Sequence, residues 1–156
     1  NGNACNNGDI EISGNRCLSG NFGSFSSLVD YDYEGFSYRS DNEPDSFICF
    51  DFKSYGVLLY SYTIRSSNLN PLEGLKSWII EGSNDKLKWF ELDSHLNVES
   101  LCNAKAVESF IIEDYVKNNK PFRYIQIRMI GLNSNNNYSL SIANIEFFGK
   151  YTNNCI

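Results

Sequence analysis

The chain has little of what several protein classes require. It has one histidine and five cysteines, and no two cysteines stand at C-x-x-C spacing, so a zinc site is not expected. Its net charge is −6, and no cluster of lysine and arginine is dense enough to follow a phosphate backbone. No apolar run approaches the roughly 20 residues of a membrane span. We therefore expect neither nucleic acid as a partner nor a membrane span. A membrane is not expected as a partner either, since the loops are acidic and rich in Asn rather than apolar.

Long amphipathic helices are also missing, and turn signals recur between short apolar or alternating stretches. Strands are predicted at Phe47–Phe52, Val57–Arg65, Val107–Ile112, Phe122–Leu132 and Tyr138–Tyr151, with a weaker one around Ile10 and Ile12. Many short strands with turns between them are typical of an all-β sandwich or barrel.

The stretch Ser77–Leu92, SWIIEGSNDKLKWFEL, predicts a hairpin. Its apolar ends are joined by Gly, Ser, Asn and Asp, which tolerate the backbone angles of a reversal. Both tryptophans of the chain, Trp78 and Trp89, lie here. Because each indole ring can bury a large apolar area, we expect both in the core.

Side-chain alternation predicts which face of a strand is buried. In the strand Val57–Arg65 it places Tyr60, Tyr62 and Ile64 on one face and Leu59 and Thr63 on the other. In Tyr138–Tyr151 the apolar positions shift by one residue midway. A bulge near Ala143-Asn144 would keep both halves facing the core. The polar stretch that follows the hairpin has a weak helical period and predicts at most one short helical turn.

Four motifs in a fixed order carry a family resemblance: FICFDF, WIIEGSNDKLKWFEL, FRYIQIRMIG and LSIANIEFFG. The chain thereby resembles the discoidin domain, also called the coagulation factor V/VIII C-type domain, over residues 22–151. It is most similar to the discoidin-type domains attached to BTB-domain proteins of protists. Residues 1–21 are expected to form a loose N-terminal segment, and 152–156 a C-terminal tail.

The resemblance implies an eight-stranded jelly-roll β-sandwich of galactose-binding-like type, with ligand loops at one end and no catalysis. We expect a non-catalytic binding module of a larger intracellular protein that contacts another protein through these loops. The alternative is a carbohydrate-binding module, in which aromatic rings stack on a sugar and Asn or Arg hold its hydroxyls. A glycosidase with paired carboxylates is a distant third.

Loop side chains are the candidates for ligand contact. They are Tyr31, Asp32, Tyr38, Arg39, Asp41, Arg65, Asn68, Asn133 and Asn135. Their aromatic rings, guanidinium groups and amides are the groups that hold sugars or peptides. The alternative for the tyrosines is packing beneath the loop. For Arg65 and Arg128, salt bridges to the acidic loop are the favoured expectation.

Two further features bear on metal binding and catalysis. Asp30, Asp32, Glu34 and Asp41 have the spacing of EF-hand ligands, but no helices flank them, so a solvated acidic loop is favoured over a calcium site. No cofactor is therefore expected. The single histidine, His95, has no accompanying serine or cysteine motif, and we expect it on the surface.

The cysteines bear on the cellular compartment. Secreted members of the discoidin family bridge their two ends, and Cys5 and Cys155 lie where such a disulfide would fall. Three cysteines would then remain, an odd number that secreted domains tend to avoid. We therefore expect reduced thiols and a cytoplasmic protein. The alternative is an extracellular protein with a Cys5–Cys155 disulfide.

Overall fold

A computed structural model describes residues 3–15, 25–30, 37–113 and 119–153. Within these ranges the chain forms nine strands and one short 3₁₀ helix, Phe25–Val29. The strands are β1 Glu11–Gly14, β2 Tyr38–Arg39, β3 Phe47–Asp51, β4 Tyr55–Ser66, β5 Trp78–Ser83, β6 Phe90–His95, β7 Val107–Ile111, β8 Tyr124–Met129 and β9 Ser141–Asn153. Strands of the domain therefore lie on both sides of the expected range 22–151.

Two antiparallel sheets make up the architecture. One has five strands in the order β1-β3-β8-β5-β6, and the other has four in the order β2-β9-β4-β7. Neighbours in a sheet are mostly distant in sequence, as in a jelly roll. The predicted all-β sandwich is confirmed, with the two-residue β2 bringing the strands of the described ranges to nine.

The core lies between the sheets, where alternating side chains of both meet. From β8, Ile125, Ile127 and Met129 are fully buried, as their alternation predicted. From β5, Trp78 and Ile80 are fully buried as well. Burial of these side chains, at roughly 25 cal/mol per Å² of apolar surface, is the main stabilising contribution.

Two bulges in the pairing of β4 with β9 determine which side chains face the core. The pairing of β4 with β9 shifts register between Arg65 and Ser66, where Asn144 and Ile142 are the partners and Ala143 is extra. This confirms the predicted bulge. A second register shift, between Leu59 and Ser61, exchanges the sides of the sheet on which the side chains at the start of β4 lie. Leu59 is therefore buried and Tyr60 exposed, so the predicted faces of these two residues were wrong.

The β5–β6 hairpin is present, but its two tryptophans differ in burial. Trp78 is fully buried and donates its indole N–H to the Tyr62 hydroxyl at 3.0 Å. Trp89 follows the turn between the two strands and is only partly buried. That turn is closed by Asp85, whose Oδ1 accepts the backbone N–H groups of Leu87 and Lys88. The prediction that both tryptophans are largely buried is thus confirmed for Trp78, whereas Trp89 remains partly exposed.

The stretch after β6 contains turns and no helix within the part that the structure describes, residues 96–106. The weak helical period therefore produces no helix, since β6 extends to His95 and includes the first residue of that period. Among the described residues, no helix has the length and apolar character needed to cross a bilayer.

Candidate functional site

Four loops of the described part of the chain converge at one end of the sandwich. The register of the strands places the start of β3, β5, β7 and β9 beside the end of β4, β6 and β8. The segments 40–46, 67–77, 96–106 and 130–140 therefore share one surface. We call this surface the loop end.

An ion pair between the partly exposed Arg39 and the buried Glu73 organises the loop end. Arg39 Nε lies 2.5 Å from Glu73 Oε2, and Arg39 Nη2 donates to Glu73 Oε1 at 2.8 Å. Asn137 Nδ2 donates to the same Oε1 at 2.8 Å. Arg39, Glu73 and Asn137 come from three different segments, and we call this group the loop clamp. Bidentate pairing of this kind adds directional specificity to the charge attraction.

The environment of Glu73 keeps it ionised. Its side chain is 1% exposed. Burial by itself raises the pKa of the Glu73 carboxyl, but the hydrogen bonds from Arg39 and Asn137 outweigh burial and lower it below its ordinary value. The carboxylate therefore remains charged at neutral pH and holds both donors in place.

Asn133 closes the 130–140 loop from inside. Its Nδ2 donates to Asn137 Oδ1 at 2.7 Å and to the Ser139 carbonyl at 3.0 Å. Its Oδ1 accepts the backbone N–H groups of Asn135 and Asn137. An asparagine side chain that replaces backbone partners in this way fixes an otherwise irregular loop. The clamp residue Asn137 is thereby oriented toward Glu73.

Backbone contacts join the remaining loops. The Gly74 N–H donates to Ser134 Oγ at 2.8 Å, and the Ser134 N–H donates to the Gly74 carbonyl at 2.9 Å. A Cβ at Gly74 would lie 2.6 Å from both Cys102 Cα and the Leu101 carbonyl oxygen. Only glycine permits this close approach. The 67–77 loop is therefore held between its neighbours on both sides.

Above these contacts, the loop end exposes amides and an apolar side chain. Asn68 and Asn135 are exposed, and Asp41 is partly exposed. Leu132, just before the Asn133 loop, is also exposed. Amides offer both donors and acceptors, and an apolar side chain offers a dry contact. The surface is chemically suited to a hydroxyl-rich ligand that also has an apolar face.

Some predicted ligand residues have a structural role instead. Tyr38 is fully buried, stacks on Phe25 at 5.6 Å and donates its hydroxyl to the Asn15 carbonyl. Asn133 is buried inside its loop. Arg39 is engaged by Glu73. For Tyr38 and Asn133 the prediction of ligand contact is corrected, because both side chains are buried and their polar groups are directed to the protein itself. Arg39 is held by Glu73 but its side chain is 26% exposed, so its contact with a ligand stays a prediction.

The structure describes only some of the residues of the acidic loop and of the calcium alternative. Tyr31, Asp32 and Glu34 lie outside the described residues. Asp30 and Asp41 are described, and the described ranges contain no group of three or more His, Cys, Asp or Glu side chains arranged to hold a metal ion.

Arg65 lies in the four-stranded sheet and Arg128 in the five-stranded sheet. Arg65 lies on β4 between Val107 and Asn144. Arg128 Nη1 contacts Asp45 Oδ1 at 2.8 Å, so its predicted pairing with the acidic loop is confirmed.

Sequence reasoning missed Glu73, Asn137 and Ser134. No local pattern marks them, because their partners lie about 34 to 64 positions away. The only local signal is the charge of Glu73 between Leu72 and Gly74, within the otherwise apolar or small stretch Pro71–Leu75.

His95 is partly buried rather than free on the surface. Its ring lies 4.9 Å from the Trp78 ring and 4.7 Å from the Phe110 ring, and Nε2 lies 2.8 Å from Asp93 Oδ2. The same carboxylate oxygen accepts the Tyr62 hydroxyl at 2.7 Å. Burial and this hydrogen bond raise the pKa of Tyr62, so Tyr62 remains a donor. These contacts assign His95 to packing.

Comparison with known proteins places the fold in a class. No family model matches the chain. A stretch of 130 residues is 22% identical to the E3 ubiquitin-protein ligase Ufd4 of Drosophila melanogaster, and it covers 83% of this chain but only 5% of the ligase. The chain thus spans a small fraction of that relative.

Solved structures of carbohydrate-binding modules share the architecture. The Clostridium perfringens module CpGH89CBM32-5, in complex with GalNAc-β-1,3-galactose, gives a TM-score of 0.70 at 11% identity, covering 91% of this chain and 96% of that one. The CBM32 of AlyQ, in complex with 4,5-unsaturated mannuronic acid, gives 0.65 at 19% identity, covering 88% and 93%. CBM32-3 from a family 31 glycoside hydrolase of C. perfringens gives 0.66 at 17% identity, covering 92% of each. The chain therefore has the galactose-binding-like jelly-roll fold of CBM32 modules, to which the discoidin type is related.

Proposed function

We propose that this chain is a non-catalytic binding module of discoidin type that binds carbohydrate at its loop end. The supporting observation is a pre-organised surface. The loop clamp and the Asn133 contacts hold the loops rigid beneath exposed amides. A ligand then binds without first ordering the loops, which reduces the entropic cost of association. The likeness to glycan-bound CBM32 modules supports the ligand class.

The chemistry of the surface favours neutral sugars. Asn68 and Asn135 can donate to and accept from hydroxyl groups, and Leu132 can contact the C–H face of a sugar ring. Acidic side chains of the 40–46 loop, Asp41, Glu43 and Asp45, lie on the same end. They would repel anionic sugars, since like charges brought together cost free energy.

A glycan array followed by calorimetry tests this proposal. Asn135→Ala and Asn68→Ala should each weaken binding of the best neutral array ligand by about tenfold, the effect of losing roughly one hydrogen bond to the ligand. Asn119→Ala, an exposed asparagine outside the loop-end segments, is the matched control and should bind as the wild type does. An array without any bound glycan, or equal weakening in all three variants, would refute the proposal.

A second candidate is binding of a protein through the same loops. The observation that favours it is the match to a short part of a ubiquitin ligase, a kind of protein that acts on other proteins. A photo-crosslinking residue at position 135 should then capture a defined protein from cells, and the same residue at position 119 should not. Equal capture at both positions would exclude specific binding at the loop end.

A further inference from the structure

The end of the sandwich opposite the loop end has a groove lined by aromatic rings. Two adjoining hollows, of about 190 and 400 Å³, share Ala4, Ile10, Phe52 and Tyr151. The larger hollow also includes Asp9 and Tyr55, and the smaller one includes Phe147 and Glu146. We call these two hollows together the tyrosine groove. The larger one lies in the range of roughly 300–1,000 Å³ that small-molecule sites occupy.

A row of aromatic contacts leads from the core into the groove. The ring of Phe50 lies 4.9 Å from that of Phe147, Phe147 lies 6.3 Å from Phe52, and Phe52 lies 5.9 Å from Tyr151. All three contacts are edge-to-face. Phe50 and Phe52 are buried and Phe147 is half-buried, whereas Tyr151 is 53% exposed and Tyr55 is 43% exposed. The Tyr151 ring therefore packs on Phe52 on one side and faces solvent on the other, so that it forms a platform for a ligand.

The wall beside the platform is also ordered. In the turn 3–10, the Asp9 N–H donates to the Ala4 carbonyl at 2.9 Å. Asn3 Nδ2 donates to the Ser26 carbonyl at 2.7 Å, which ties the turn to the 3₁₀ helix. Asp9 is therefore held beside the tyrosines on an ordered segment, with its side chain exposed.

The charged residues of the groove favour an uncharged ligand over an anionic one. Among the described residues that line it, Asp9 and Glu146 are carboxylates, and none is a lysine or arginine. Carboxylates accept hydrogen bonds from hydroxyl groups and repel anions. A neutral saccharide has C–H faces for the tyrosine rings and hydroxyls for the carboxylates. An anionic sugar or an acidic peptide would be rejected.

We propose that the tyrosine groove is a second carbohydrate subsite, which takes a neutral saccharide across Tyr55 and Tyr151. The ligand class rests on the proposed carbohydrate function, but the site is separate from the loop end. Two subsites at opposite ends would let one domain bridge two glycan chains or two positions of a branched glycan.

An NMR titration of the ¹⁵N-labelled chain with GalNAc-β-1,3-galactose at millimolar concentration tests the inference. We expect shifts of the amide signals of Asp9, Tyr55 and Tyr151. The matched anionic probe, 4,5-unsaturated mannuronic acid, should leave these signals in place. Signals near Asn135 report separately on the loop end, so that the two sites are distinguished in one experiment.

Variants define the role of the rings. Tyr151→Ala and Tyr55→Ala should each weaken the groove interaction by about tenfold. Tyr151→Phe keeps the ring and should retain binding. Tyr60→Ala removes an exposed tyrosine outside the groove and should bind as the wild type does. The dispersion of each variant's spectrum shows whether it is folded. Should Tyr151→Ala unfold the domain, the decision passes to Tyr55→Ala, whose ring is not part of the aromatic row.

Each outcome decides the proposal. Shifts in the groove that are lost in folded Tyr→Ala variants support it. Shifts confined to the loop end overturn it while supporting the proposed function. An unshifted groove, as expected if this surface instead packs against protein, overturns it as well, and the glycan array then decides the loop-end proposal independently. Equal shifts with the anionic probe overturn the assignment to neutral saccharides.

Discussion

Substitution of Arg39 by alanine tests the loop clamp directly. Removing one partner of a buried ion pair costs roughly 3–5 kcal/mol, because the other charge remains buried and uncompensated. The Glu73 side chain is 1% exposed, but that of Arg39 is 26% exposed, so water partly screens the pair. Asn137 would also continue to donate to Glu73. We therefore expect Arg39→Ala to lower the free energy of unfolding by about 2–3 kcal/mol at neutral pH.

The loss should depend on pH in a defined direction. Although burial raises the pKa of Glu73, its hydrogen bonds lower it below the ordinary value, and an unfolded glutamate titrates near about 4.3. A carboxyl with a lowered folded pKa stabilises the protein above its unfolded pKa. This stabilisation is lost as pH falls through the folded pKa. The difference between the wild type and Arg39→Ala should therefore shrink below about pH 4.

Urea unfolding at neutral pH and at about pH 3 measures both effects. The matched control is Arg123→Ala, which removes another bidentate pair: Arg123 Nε lies 2.8 Å from Asp51 Oδ1, and Nη2 lies 3.0 Å from Oδ2. This pair lies outside the loop end and is more exposed, so we expect a loss of only about 1 kcal/mol and unchanged glycan binding. A loss at Arg39 no larger than the control, or one that is the same at both pH values, would refute the reasoning.

Two further predictions concern the Tyr62 hydroxyl and the cysteines. Tyr62→Phe removes a hydroxyl that accepts the Trp78 indole N–H and donates to Asp93, so thermal unfolding should show a loss of about 1–3 kcal/mol from the unsatisfied groups; a loss under about 0.5 kcal/mol would contradict the role given to this hydrogen-bond chain. For the cytoplasmic prediction, intact mass after alkylation in denaturant without reductant should show all five cysteines of the native-source protein modified. Three modified cysteines, with Cys5 and Cys155 protected, would instead establish a disulfide and an oxidising compartment.

Local pattern was enough to predict the class of the fold. Alternating apolar residues in Tyr124–Met129 and the apolar run of Phe47–Asp51 predicted strands, and both are central strands of the five-stranded sheet. The change of phase in Ser141–Asn153 predicted the bulge at Ala143. These features could be predicted because the alternation of side chains along a strand is a property of neighbouring residues.

Local pattern was not enough where a distant strand sets the register. The alternation around Tyr60 placed this residue on the same face as Tyr62 and Ile64, but pairing with β9 introduces a bulge that exposes Tyr60 and buries Leu59. Tyr38 was predicted to contact a ligand as part of an aromatic, acidic segment. It is buried because β2 pairs with the start of β9, about a hundred residues away.

The sequence by itself determined an all-β domain with a buried Trp78 and polar loops, since these follow from composition and period. Only the tertiary structure decided which polar residues meet. Arg39 and Glu73 form the loop clamp because the chain returns to the same end of the sandwich after 34 positions. Tyr55 and Tyr151 line one groove because β4 and β9 pair along their full length. Such meetings depend on long-range strand pairing, which brings together side chains whose local sequences carry no sign of one another.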